Sequence, residues 1–327
     1  MTVSATPPTA PPAGDRPAGP VTPPTPPDVT ATPPAVVPPR PARGAEIPAV
    51  RITGVVLTLL GVLLLGFVVH LTLISEIRYD RSQQVAYADF RKDLAEAVAP
   101  VGQSGFDNQI LRLGAPVAVL RIPALGTQQV VFEGTTAGVL ADGPGHRRDT
   151  PLPGQAGTSM IMGRRAAYGG PFKGLPLLRA GDQVMVVTGQ GEHEYRVIGV
   201  RHGGEPQPPR LASGAGRLVL ATAAGRPYLP TDVVYVDADL VSEAQPAPKR
   251  RIGPGSLTRA EKTMAGDPTA WTALLLWGQA LLIAAYAVSW AWARWGGWQA
   301  WVVGAPLLSA LGLAVADQVA RVLPNLY

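Results

Sequence analysis

No cysteine occurs in the 327 residues, which excludes thiolate nucleophiles, thiolate metal sites and disulfides together. The other groups able to do chemistry crowd into the middle of the chain. Asp142, His146 and Asp149 share a Gly/Pro-rich loop, an arrangement that suits a metal ion or a hydrolytic water. In the competing reading the two aspartates form turns and His146 packs locally. Arg164 and Arg165 are adjacent guanidiniums, whose planar forks match a carboxylate or phosphate. The alternative is a salt bridge from this pair to Asp142 or Asp149. His193 and His202 lie on or beside an expected edge hairpin and read as surface groups, and His70 falls near the outer end of an apolar span.

These residues must be positioned by short strands. From residue 117 onward apolar side chains alternate in brief runs cut by glycine and proline, which predicts strands near 117–122, 129–132, 159–162, 183–188, 194–200, 218–222 and 233–236. Gly189-Gln190-Gly191 reads as a hairpin turn between two of them. Seven or more short strands with little helix imply a closed barrel or a sandwich, an all-β domain over 101–241. The net charge of +5 is almost wholly arginine, and no basic run is interleaved with aromatic residues, so nucleic acid is not an expected partner. No cofactor is expected.

The flanks are of another kind. Residues 1–50 are so rich in proline that they predict a disordered tail, either a solvated tether or a ligand for proline-reading partners. Residues 52–69 carry no charge, and a helix of that length rises roughly 27 Å, close to the hydrocarbon thickness of a bilayer. The segment starts too late and runs too long for a cleaved signal peptide, so 51–75 is expected to be an anchor. A polar helix over 76–100 should follow and lie on the barrel through Tyr87, Phe90 and Leu94. After a linker at 242–268, apolar segments at 269–293 and 299–323 predict two further spans, with tryptophans at their ends. The core of the last, 301–316, is shorter and also fits a re-entrant helix. Small residues at Ala305/Ser309 and Gly312/Ala316 suit close helix packing or helix-mediated oligomers. Arg40, Arg43 and Arg51 favour a cytoplasmic tail and an extracytoplasmic barrel.

The order and spacing of several fragments resemble the bacterial sortase family. They are Leu120-Arg121-Ile122-Pro123 with Gly134, then Gly143-Pro144-Gly145-His146 with Pro153-Gly154 and Gly157. After them come Gly163-Arg164-Arg165, Tyr168-Gly169-Gly170-Pro171-Phe172, Leu175, Leu178, Gly181-Asp182 and Tyr195. The resemblance implies a closed eight-stranded β barrel that uses a cysteine nucleophile, a histidine acid/base and an oxyanion-stabilising arginine. Carried onto this chain, the histidine position holds Arg164, which stays protonated at any biological pH. The cysteine position holds Ala223, whose methyl has no lone pair. The arginine position falls on Thr231 or Asp232, where a carboxylate would repel an oxyanion, with Arg226 able to reach the same place. Thr222 neighbours the nucleophile position, but strand alternation should turn it away.

The sequence therefore predicts a membrane-anchored, multi-pass, sortase-like barrel that is catalytically inactive and acts as a binding or scaffolding module at the cell envelope. Arg164, Arg165 and Arg226 are its candidate ligand-binding residues, and an envelope protein, a peptide, or an anionic wall or lipid group is the expected partner. Two alternatives remain open: a cysteine-independent transpeptidase or hydrolase, and a structural subunit whose barrel is only a spacer.

Overall fold

The computed structural model describes residues 61–327 apart from 227, 254 and 296. The proline-rich tail and the start of the first apolar span lie outside the described residues. Helix α1, Gly61–Ala95, combines the expected anchor and connecting helix in one unbroken element. His70–Ile74 forms a turn of π-helix within it, and the Ser75 hydroxyl donates to the Leu71 carbonyl at 2.5 Å. Such a bulge inserts a residue without ending the helix. It turns His70 inward, where the imidazole is buried instead of interfacial.

Eight strands close into a barrel in the order β1-β2-β3-β4-β7-β8-β6-β5. They are β1 Pro116–Ile122, β2 Thr127–Glu133, β3 Gly145–His146, β4 Gly157–Met162, β5 Gln183–Thr188, β6 Gly191–His202, β7 Gly216–Arg226 and β8 Leu229–Leu240. Every strand expected from alternation is present, most of them longer than expected. The two-residue β3 was not anticipated, yet it closes the circle. Gly145 pairs with Phe132 on one side and Met162 on the other. A Cβ at Gly145 would stand 2.1 Å from the Gly134 carbonyl oxygen, so only glycine lets the two backbones approach this closely. Between β2 and β3 lies a single helical turn, α2, Val139–Asp142.

The barrel interior is filled by alternate side chains, among them Leu120, Ile161, Val186, Tyr195, Leu218, Leu220 and Val236. His193 shares the buried face of β6 with Tyr195 and Val197. Alternation does pair it with Tyr195, but on the inside, so its expected place on the surface is corrected. Its Nε2 lies 3.0 Å from the Thr188 hydroxyl, and burial pushes its pKa below the usual histidine value.

Helix α1 lies against β1 and β2, with Phe90 fully buried among Val119, Val130 and Phe132. Gln83 fastens it further. Its amide nitrogen donates to the Val130 and Asp142 carbonyls at 3.2 and 3.0 Å, and its oxygen accepts from Val130 N–H at 2.6 Å. After the barrel come two long helices, α3 Ala270–Trp295 and α4 Gly297–Val322. Together with α1 they are, among the described residues, the three helices long and apolar enough to cross a membrane. Because α4 runs for 26 residues, it is long enough for a full span. A Cβ at Gly304 would meet Val288 at 2.6 Å, which marks the close approach of the pair. Gly304 and Ala316 are buried, while Ser309 is exposed. Arg78 on α1 ties the elements together, pairing with Asp317 of α4 at 3.0 Å and Asp142 of α2 at 3.5 Å.

Candidate functional site

The parallel pairing of β4 with β7 sets Met162 beside Ala221, so Arg164 and Ala223 emerge at the same end of neighbouring strands. Alternation then sorts β7. Leu218 and Leu220 point into the barrel, whereas Val219, Ala221 and Ala223 line the outer groove with Met160, Met162, Leu140 and Val233. Thr222 is on the other face from Ala223. Its hydroxyl is fully buried and donates to the Gly163 carbonyl at 2.9 Å.

The structure does bring Arg164 to the groove, but places it beneath protein. The side chain is 1% exposed. Its Nε donates to the Leu140 carbonyl at 3.1 Å and its Nη2 to the Ala137 carbonyl at 2.9 Å. The guanidinium lies between two rings, 4.8 Å from the centroid of Tyr168 and 4.8 Å from that of Tyr327. Burial pushes the Tyr168 hydroxyl up to about 12, against the pull of Arg164, which favours the phenolate. Arg165 is half-buried, and its Nη1 donates to the Ala223 carbonyl at 2.9 Å. Arg226 is exposed at the end of β7.

Neither carboxylate anticipated for Arg164 holds it. Asp142 faces Arg78, and Asp149 faces Arg147 at 2.8 Å. Burial raises the pKa of Asp142 and Arg78 offsets part of that rise. His146 lies inside with one nitrogen 2.9 Å from Glu133 and the other 3.0 Å from the Pro151 carbonyl. Among the described residues no group of three His, Asp or Glu side chains is placed to hold a metal ion.

Asp232 is opposite Ala224, and it is its neighbour Val233 that shares the groove face with Ala223. The Asp232 carboxylate accepts from Val233 N–H at 2.7 Å and closes on the Gly203 turn. Strand alternation thus keeps this carboxylate off the face where the repulsion was expected.

Sequence reasoning missed two components of the groove. Beyond Val219 and Met160 it opens into a cavity of about 510 Å³ where Arg201 and Arg217 pair with Asp237 and Asp239 at 2.7 and 2.6 Å. Cross-strand pairs of this kind need the register, which a single sequence does not give. The other omission is the segment after α4. Asn325, Leu326 and Tyr327 are buried against the groove, and Leu326 joins the apolar cluster of Ala223. No motif or period marks these three residues.

Comparison with known proteins agrees with this architecture. Residues 120–228 match the family model described as Sortase domain. Over 85 residues the chain is 29% identical to Sortase D of Bacillus subtilis (strain 168), covering 26% of this chain and 41% of that protein. It thus spans less than half the length of this relative. Among solved structures, a Sortase D5 transpeptidase of Clostridium perfringens is 19% identical with a TM-score of 0.41, covering 50% of this chain and 98% of that one. Sortase E from Streptomyces avermitilis is 30% identical with a TM-score of 0.33, covering 40% and 91%. The family match runs from β1 to β7, so the barrel is a sortase-like domain.

Proposed function

We propose that this chain is a catalytically inactive sortase-like membrane protein serving as a binding or scaffolding module at the cell envelope. The observation that carries the reading is the pair at the groove end. Ala223 supplies a methyl where an acyl-enzyme would need a nucleophilic atom. Arg164 supplies a buried guanidinium, engaged by two carbonyls and two rings, where a proton acceptor would be needed. The hydroxyl next in sequence to Ala223, that of Thr222, is committed to the Gly163 carbonyl. Losing nucleophile and base together removes the route, and a fold without its site does not carry the activity. Incubating the full-length detergent-solubilised protein with a sorting-signal peptide and an amine acceptor, with products followed by mass spectrometry, should give no more product than a heat-unfolded control. Turnover above that control would establish the cysteine-independent enzyme instead.

The topology belongs to the same proposal. The arginines before α1 support a cytoplasmic N-terminal side, with the barrel and the linker before α3 outside. Lys249 and Arg250 are exposed in that linker. Trypsin added to intact spheroplasts should therefore cut at 249–251 and release no fragment of the tail. Full protection of the linker in intact cells, with cutting only after lysis, would reverse the orientation.

A further inference from the structure

Residues 323–327 leave α4 and run between the groove and the segment that leads into α3. Three successive side chains meet three different chemistries. Asn325 is fully buried, and its amide nitrogen donates to the Thr135 and Lys262 carbonyls at 2.9 and 3.0 Å. Leu326, also fully buried, enters the apolar cluster of Leu140, Met162 and Ala223. Tyr327 lays its ring on the Arg164 guanidinium and is 3% exposed. The backbone is held as well. Asn325 N–H donates to the Ala265 carbonyl at 3.0 Å, and the Leu326 carbonyl accepts from Arg165 N–H at 3.1 Å. Arg165 also grips the Ala223 carbonyl, so one residue bridges the segment and β7.

We propose that the groove has become a receptor for the chain's own segment 325–327, and that the seated segment latches α4 to the barrel. The segment is a turn, with Tyr327 N–H donating to the Pro324 carbonyl at 3.4 Å, and it is held by main-chain bonds and a distinct pocket for each side chain, as a docked peptide is. Two of the three positions at which the chain departs from the sortase pattern, 164 and 223, build the seat. A residue larger than alanine at 223 would compete with Leu326 for the same cluster. Arginine at 164 offers a permanent planar cation for ring stacking, which an imidazole near neutral pH does not. The ligand class is thus a peptide in the order amide, branched aliphatic, aromatic. This deepens the scaffold reading, since a groove closed in cis admits no substrate. Its test does not use turnover, so either reading fails separately.

The absence of native cysteine gives a clean background. The full-length Ala223→Cys/Leu326→Cys variant, oxidised mildly in membranes and then cut by trypsin at 249–251, should keep barrel and α3–α4 fragments joined on a non-reducing gel. Reductant or either single variant should separate them. In parallel, a fluorescent amidated peptide of residues 320–327 should bind the Leu326→Asp/Tyr327→Ala protein at least about tenfold more tightly than the parent, whose groove is filled. Fragments that separate without reductant, or equal peptide binding by both proteins, overturn the proposal.

Discussion

Replacing Arg164 with alanine is expected to destabilise the barrel by about 3–4 kcal/mol. The side chain satisfies two buried carbonyls, and each left unpaired costs about 1–3 kcal/mol. Two ring contacts, at about 0.5–2 kcal/mol each when shielded from water, are lost with them. Relief from burying a charge returns part of this sum. For a domain of this size the midpoint of thermal unfolding should fall by roughly 10 °C, which calorimetry of the solubilised protein would read. Arg164→Met keeps the length and apolar stem and should lose about half as much. Arg164→Lys should fall between, because a point charge cannot serve both carbonyls and lie flat between two rings. If Arg164→Ala melts with the parent, the side chain is not structural and the groove must be open enough to free it.

The second large effect is expected at His146. Its Nδ1 lies 2.9 Å from the Glu133 carboxylate, and its Nε2 meets the Pro151 carbonyl and the Thr150 hydroxyl at 3.0 and 3.1 Å. Glu133 is as deeply buried as the histidine. His146→Ala leaves that carboxylate without its partner and should cost about 3–5 kcal/mol. Glu133→Gln keeps an acceptor for the ring and should cost about 1–2 kcal/mol. The double change His146→Phe with Glu133→Leu removes both polar groups while filling the space, and should be less harmful than His146→Ala alone. Equilibrium unfolding of the four proteins tests this. A double variant no more stable than His146→Ala would mean the two side chains do not act as a pair.

The staves of the barrel were readable because alternation is a local signal. β1, β2 and β4 to β8 each carry several apolar residues two apart, enough to see without any partner strand. β3 has two residues, and only Phe132 and Met162, brought in by the fold, make it a strand. His193 shows how a correct period can be attached to the wrong face. Its link with Tyr195 was legible, but a polar side chain suggested water, while its actual partner is a threonine across the hairpin. Position 164 was legible as a departure from the sortase pattern. What surrounds it was not, because Tyr327 reaches it from the far side of two apolar helices. The merging of anchor and connecting helix into α1 was hidden for a different reason: a π-turn keeps a helix continuous through a change of composition that looks like a boundary.

That continuity sets where the barrel can meet another molecule. From Arg78 to Phe90 α1 climbs roughly 18 Å as a single rigid rod, and Gln83 and Phe90 bolt it to the wall of β2. A domain on a flexible tether samples a wide volume above its anchor. A domain mounted on a continuous helix, with α4 held to the barrel at Leu326 as proposed, would sweep a far smaller one. Once inserted as proposed, its working height is fixed near the bilayer, and contact with other anchored proteins becomes a planar problem. The rate of encounter then follows the number of molecules per unit area of membrane, and a partner arriving from bulk solution must come down to that height to be met.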